Sequence, residues 1–209
     1  MIGGSWFRRR ARSEGRNVRR PLLGFTVLEL LVVVTIFAIG SIAISATYIN
    51  FTRLHRRASN AQQLAEEMRF ITELITREIR NNRIEWALIN NHFRGAVELL
   101  DEQDSRIRIV FTGNDTWCDP LEVDNCIIMS HAGEFGWTPI TGKRINVVLF
   151  RAFYTPYEDP FTSVGLGSYP NDQQPRITFL IHAEYVADHP RESVSMEMQT
   201  TVSSRVYVR

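Results

Sequence analysis

Lysine is almost missing from this chain: of 24 basic residues, only Lys143 is not arginine. Cysteine is nearly as scarce. The two present, Cys118 and Cys126, are spaced neither as C-x-x-C nor as a zinc pattern. Proline is absent between Pro21 and Pro120, and no proline can therefore break a helix built in the first half of the chain. Catalytic signatures are missing too. The histidines (His55, His92, His131, His182 and His189) are scattered, and none falls in H-E-x-x-H. There is no G-x-S-x-G and no P-loop, and Gly165-Leu166-Gly167 is a lone G-x-G with no helix after it. These absences argue against an enzyme and against a resident metal or cofactor. No internal repeat or low-complexity tract is present.

Charge is also absent from residues 30–49, and this absence is the chain's main positive feature. Twenty uncharged residues in a helix reach roughly 30 Å, the thickness of a bilayer's hydrocarbon core. Glu29 stands immediately before the run, where a carboxylate is costly in lipid and marks a functional position. Residues 1–24 carry seven Arg and one Glu, a charge of +6; with a total of +1, the remainder carries 1 − 6 = −5. Positive charge beside a span stays in the cytoplasm, which places the N-terminus inside and everything after residue 50 outside. Arg53, Arg56 and Arg57 beyond the span are fewer. An acidic remainder argues against a nucleic-acid partner, because phosphate contacts require clustered Lys and Arg.

Around Glu29 the chain reads Gly24-Phe25-Thr26-Val27-Leu28-Glu29, preceded by the basic leader. This resembles the type IV prepilin signature shared by type IV pilins and type II secretion pseudopilins. In that family a short basic leader ends in Gly, Phe follows, and Glu is the fifth residue after the Gly. The resemblance implies cleavage between Gly24 and Phe25 by a prepilin peptidase, N-methylation of Phe25, and a helical filament in which Glu29 meets a neighbour's N-terminal ammonium. It implies as partners the prepilin peptidase, other pilins or pseudopilins, the cytoplasmic (inner) membrane and assembly platform proteins. The electrostatics agree: in a low-dielectric bundle each charge is costly alone, and pairing offsets the cost. Major pilins carry a Pro and a nearby Gly within the apolar segment. Here only Gly40 is present, which leans toward a minor component and a helix that kinks or melts less. Rival readings of the same stretch are a plain signal anchor with a stray Glu, a secretory signal cut before Ala46, and a twin-arginine signal at Arg19-Arg20. The second needs an overlong apolar region, and the third is opposed by Pro21 and the strong hydrophobicity downstream.

Beyond the span Leu54, Ala58, Ala61, Ala65, Met68, Ile71, Ile75 and Ile79 recur at threes and fours. The pattern predicts one helix over 25–80, apolar all round at first and amphipathic later, with Glu73 and Arg77 as an i,i+4 pair. Asn81-Asn82-Arg83 closes it. Alternating segments at 95–100, 106–111, 126–129, 145–154, 176–185 and 193–208 predict strands, separated by turn-rich connectors at 113–115, 133–142, 155–175 and 187–191. The fold class is α+β: a long N-terminal helix packed on one antiparallel sheet. The chain divides into a cleaved leader (1–24), a transmembrane and assembly helix (25–50), its amphipathic continuation (51–82) and an extracytoplasmic sheet domain (83–209). This layout resembles the J-type minor pseudopilins and W-type minor pilins, through the stretches 64–80 and 199–205.

Cys118 and Cys126 fall outside the membrane in this topology, where oxidation is permitted. They read as a disulfide closing a short loop, with two free buried thiols and then a metal site as alternatives; the closed loop contributes somewhat under about 3 kcal/mol. Asp115, Asp119, Glu122 and Asp124 cluster around them. Some pseudopilins bind calcium, but the D-x-D-x-D-G spacing is missing, and no metal is expected. The leading function is a structural subunit, a minor pilin or pseudopilin, of a type IV pilus or type II secretion pseudopilus. The alternatives are a filament-tip adhesion or DNA-uptake subunit, or a single-pass anchored sensor or enzyme.

Overall fold

The computed structural model describes residues 24, 26–86, 95–113, 116–131, 136–156, 159–160 and 173–205. A single helix, α1, covers Val27–Asn81 and passes Gly40 without interruption. The chain forms two compact units, residues 1–47 and 48–209.

In the first unit none of the helix side chains is buried. The hydroxyls of Thr35 and Ser45 donate to the carbonyls of Val32 and Ser41 at 2.8 Å, and that of Thr47 donates to Ala43 at 2.9 Å. These polar atoms are satisfied by the helix itself, which is what a bilayer interior demands. The helix is long and apolar enough to span a membrane.

In the second unit α1 buries Leu64, Met68, Ile71, Ile75 and Ile79 completely. The spacing of four, three, four and four keeps them on one face. The upstream half of the expected stripe is corrected. Leu54 is 66% exposed, Ala58 is exposed, Ala61 and Ala65 are half-buried, and Leu64 is the first core residue. Periodicity marks a face but not where the surface that covers it begins. Glu73 likewise turns to Arg69 at 2.8 Å rather than to Arg77, whose Nε lies 3.7 Å from Glu78. Either partner is one turn or less away, and exposed pairs of this kind contribute little.

Eight strands follow among the described residues, in two antiparallel sheets instead of the single sheet expected. The first has five strands in chain order: β1 Arg83–Ile84, β2 Ala96–Leu100, β3 Arg106–Gly113, β4 Asn125–His131 and β5 Thr138–Pro139. The second runs β6 Ile145–Thr155, β7 Arg176–Tyr185 and β8 Val194–Ser203. Strand alternation reports which face is buried, not which strand is the neighbour, so the division was not readable. β1 and β5 are too short to show a period, and β5 lies within the expected connector 133–142. Pro139 in β5 sits on a terminal strand, where its missing N–H breaks no ladder. Most of the connector 155–175 lies outside the described residues.

β8 ends at Ser203, short of the expected 208. The next residues close the end of α1 instead: Ser204 Oγ donates to Asn82 O at 2.9 Å and Arg205 N–H to Arg80 O at 3.3 Å. Terminal helix carbonyls lack partners within the helix, and the C-terminal segment supplies them. Residues 206–209 are outside the described set. One hydrophobic cluster joins the buried face of α1 to both sheets, through Val97, Leu99, Ile107, Ile109 and Ile127 of the first and Phe150, Ile177, Phe179 and Ile181 of the second.

Tyr154 ties the sheets together. Its hydroxyl donates to Ala96 O at 3.1 Å and accepts from Glu98 N–H at 3.3 Å. Burial pushes its phenol well above the usual 10.0. The folded state therefore keeps the proton where the unfolded chain loses it. Tyr154's contribution is complete below about pH 10 and declines as pH rises further. Tyr154→Phe should lose about 1–3 kcal/mol at neutral pH in urea titrations. The gap between variant and wild type should narrow above about pH 10; a gap that widens there contradicts the account.

Candidate functional site

The helix N-terminus is built by a cap. Thr26 precedes α1; its carbonyl accepts from Leu30 N–H at 3.1 Å and its Oγ1 from Glu29 N–H at 3.2 Å. The spacing Thr26-x-x-Glu29 is the sequence form of a capping box, a signal legible in the sequence beside the Gly24-Phe25 motif. The cap fixes where the helix starts and so places Glu29 in its first turn. The free N–H groups there carry partial positive charge that favours a carboxylate.

Glu29 is exposed, and its carboxylate has no hydrogen bond or ion pair among the described residues. Around and beyond it the surface is apolar and exposed, from Val27 (84%) through Phe37 (75%) to Ile44 (73%). A single acid at the head of an apolar helix can accept one cation brought up to that end. Gly24 is exposed, and a Cβ added there would meet nothing within 4 Å. Phe25, the expected new terminus and methylation position, lies outside the described residues.

Cys118 and Cys126 are joined as a disulfide, with Sγ–Sγ 2.06 Å, and both are buried. With Val123 and Ile128 they form a small second cluster, against which Val110, Leu121 and Trp137 pack. The acids of this loop do not converge. Glu122 faces Lys143 at 2.6 Å and Arg144 at 3.7 Å, and the hydrogen bond from Lys143, then its charge, hold the Glu122 carboxyl below the usual range. Asp119 and Asp124 are exposed, and Asp115 is outside the described residues. Among the described residues no group of three His, Cys, Asp or Glu is placed to hold a metal ion. Non-reducing mass analysis should find the chain lighter by the two thiol hydrogens. The closed loop of eight-residue separation should add about 2–3 kcal/mol, lost in a Cys118→Ser, Cys126→Ser variant. Alkylation of both thiols without reductant would contradict this.

The remaining histidines are dispersed. His55 stacks on Phe51 with ring centroids 6.5 Å apart, and His182 lies in β7 between Leu149 and Glu197. His131 belongs to β4, His189 to the β7–β8 connection, and His92 is outside the described residues. Comparison with protein-family models, with curated proteins and with solved structures returns no match to this chain.

Proposed function

We propose that this chain is a prepilin-like structural subunit, a minor pilin or pseudopilin, that assembles through its N-terminal helix into a type IV pilus or type II secretion pseudopilus. The observation that carries the reading is Glu29: an exposed carboxylate, without a partner among the described residues, in the first turn of an apolar helix and five residues after Gly24. Cleavage after Gly24 by a prepilin peptidase creates an amine on Phe25, which is then methylated, four residues before Glu29. The basic leader holds the N-terminus in the cytoplasm, and the sheet domain stands outside. Residues 30–49 first wait in lipid and then exchange lipid contacts for those of neighbouring helices. Within that packed, water-poor bundle, Glu29 receives the Phe25 ammonium of an adjacent subunit.

The test is recovery of the chain in filaments sheared from cells that carry a pilus or pseudopilus machinery. Wild-type chain should appear in the filament fraction, whereas Gly24→Val should stay uncleaved in the membrane. A site that takes Gly leaves little room for a branched side chain, and the chain itself tolerates a Cβ there. Equal recovery of the uncleaved variant, or no recovery of wild type, counts against the proposal.

A further inference from the structure

Within the second unit, α1 and the β7–β8 connection enclose a cleft of about 530 Å³ lined by Ile49, Arg53, Arg56, His189, Arg191 and Glu192, among others. The connection turns through a short 3-10 segment, Pro190–Glu192, and is pinned to the helix at two points. Asn60 Nδ2 donates to Glu192 O at 3.1 Å, and the buried Glu192 carboxylate lies 3.8 Å from Arg56. Glu192 thus engages Arg56. Arg53 and Arg191 make no hydrogen bond or ion pair among the described residues, and His189 lies beside them. Three arginines against one carboxylate leave two positive charges in one concavity, of a volume that ordinary ligand sites have.

The depth of the cleft matters as much as its charge. Ile49 closes the apolar stretch 30–49, the uncharged run itself continues to Thr52, and Arg53 and Arg56 stand four and seven residues beyond Ile49 on the same helix. That is roughly 6 and 10 Å along the axis, while the headgroup layer adds about 5–8 Å to each side of the hydrocarbon. Arg53 therefore reaches phosphate depth when α1 spans a bilayer. A guanidinium recognises phosphate through paired N–H donors and, being weakly hydrated, gives up little water to do so.

We propose that this cleft binds the phosphate of an anionic phospholipid headgroup, with Arg53 and Arg191 as its donors and His189 as a third contact. The proposal rests on α1 spanning the membrane and not on filament assembly. A bound headgroup sets the depth of α1 and holds the β7–β8 connection at the bilayer surface.

The test uses full-length protein in mild detergent, with bound lipid counted by native mass spectrometry. Phosphatidylglycerol should be retained in preference to phosphatidylcholine of the same acyl chains. Arg53→Gln and Arg191→Gln break no ion pair among the described residues; each should weaken retention about fivefold and together about 25-fold, as the loss of one net hydrogen bond to the bound phosphate does. Arg57→Gln, the same charge change outside the cleft, should have no such effect. Equal retention of the two lipids, or equal loss with Arg57→Gln, overturns the proposal. Displacement of phosphatidylglycerol by excess inorganic phosphate, and not by chloride at equal ionic strength, upholds the phosphate chemistry; binding of inorganic phosphate to a chain that retains no phosphatidylglycerol overturns the lipid source. Alkaline extraction of membranes is run in parallel. A chain that stays in the membrane without preferring phosphatidylglycerol removes the cleft proposal alone, and an extracted chain removes the membrane reading beneath it.

Discussion

Glu29→Leu is expected to leave the chain inserted and processed while cutting its incorporation into filaments by at least about tenfold, a bound well below the full cost of stranding an ammonium among apolar helices. The helix start should survive the change, because Thr26 Oγ1 accepts from the Glu29 main-chain N–H, which leucine retains. Insertion should be unchanged or improved, since a carboxylate at the edge of lipid gives way to an apolar side chain. The loss appears only on assembly, when a neighbour's Phe25 amine enters the bundle and finds no carboxylate. Glu29→Gln separates two contributions: intermediate assembly means that hydrogen bonding suffices, and a loss equal to that of leucine means that charge is required. The readout is crosslinking of cysteine pairs across the subunit interface, with insertion and cleavage followed in parallel. The native Cys118 and Cys126 are buried in their disulfide and should stay silent. Wild-type crosslinking from an inserted, processed Glu29→Leu chain would refute the pairing.

The second large effect lies at the junction of helix and sheets. Ile71 is fully buried, whereas Phe70, its neighbour in the chain, is 56% exposed. Ile71→Ala removes side-chain atoms from the cluster shared by α1 and both sheets and leaves a cavity. It should cost about 2–5 kcal/mol, a large share of the stability of an ordinary domain. Phe70→Ala should stay within about 0.5 kcal/mol, although it deletes more atoms, because those atoms already face solvent. Urea unfolding of the two variants of the full chain in detergent, side by side, measures the contrast. Equal destabilisation would mean that the buried face of α1 has been misplaced.

Much of this architecture was legible because it depends on local spacing. The uncharged run, the three-and-four repeat from Met68 to Ile79 and the alternation in β7 each reflect one element meeting one kind of surroundings. What escaped depends on distant partners. Leu54 continues the apolar stripe but is 66% exposed, and Leu64, which lies on the same face four residues before Met68, is the first residue buried although the expected stripe took Ala65 at that turn. No local pattern could say that β6 leaves the first sheet to begin another, or that Ser204 and Arg205 turn from β8 to the end of α1. At the candidate site the Gly24-Phe25…Glu29 spacing was readable, and the Thr26 cap should have been. The gathering of Arg53, Arg56 and Arg191 around one cleft was not, because about 130 residues separate the helix from the connection that closes it.

The central claim is that this chain is matured and assembled at the head of its apolar helix, and the mass of the mature N-terminus tests it most directly. Full-length chain from cells with an active prepilin peptidase should begin at Phe25, one methyl group heavier than the unmodified residue. An intact Met1 terminus under the same conditions, or a terminus at Ala46, would contradict the account.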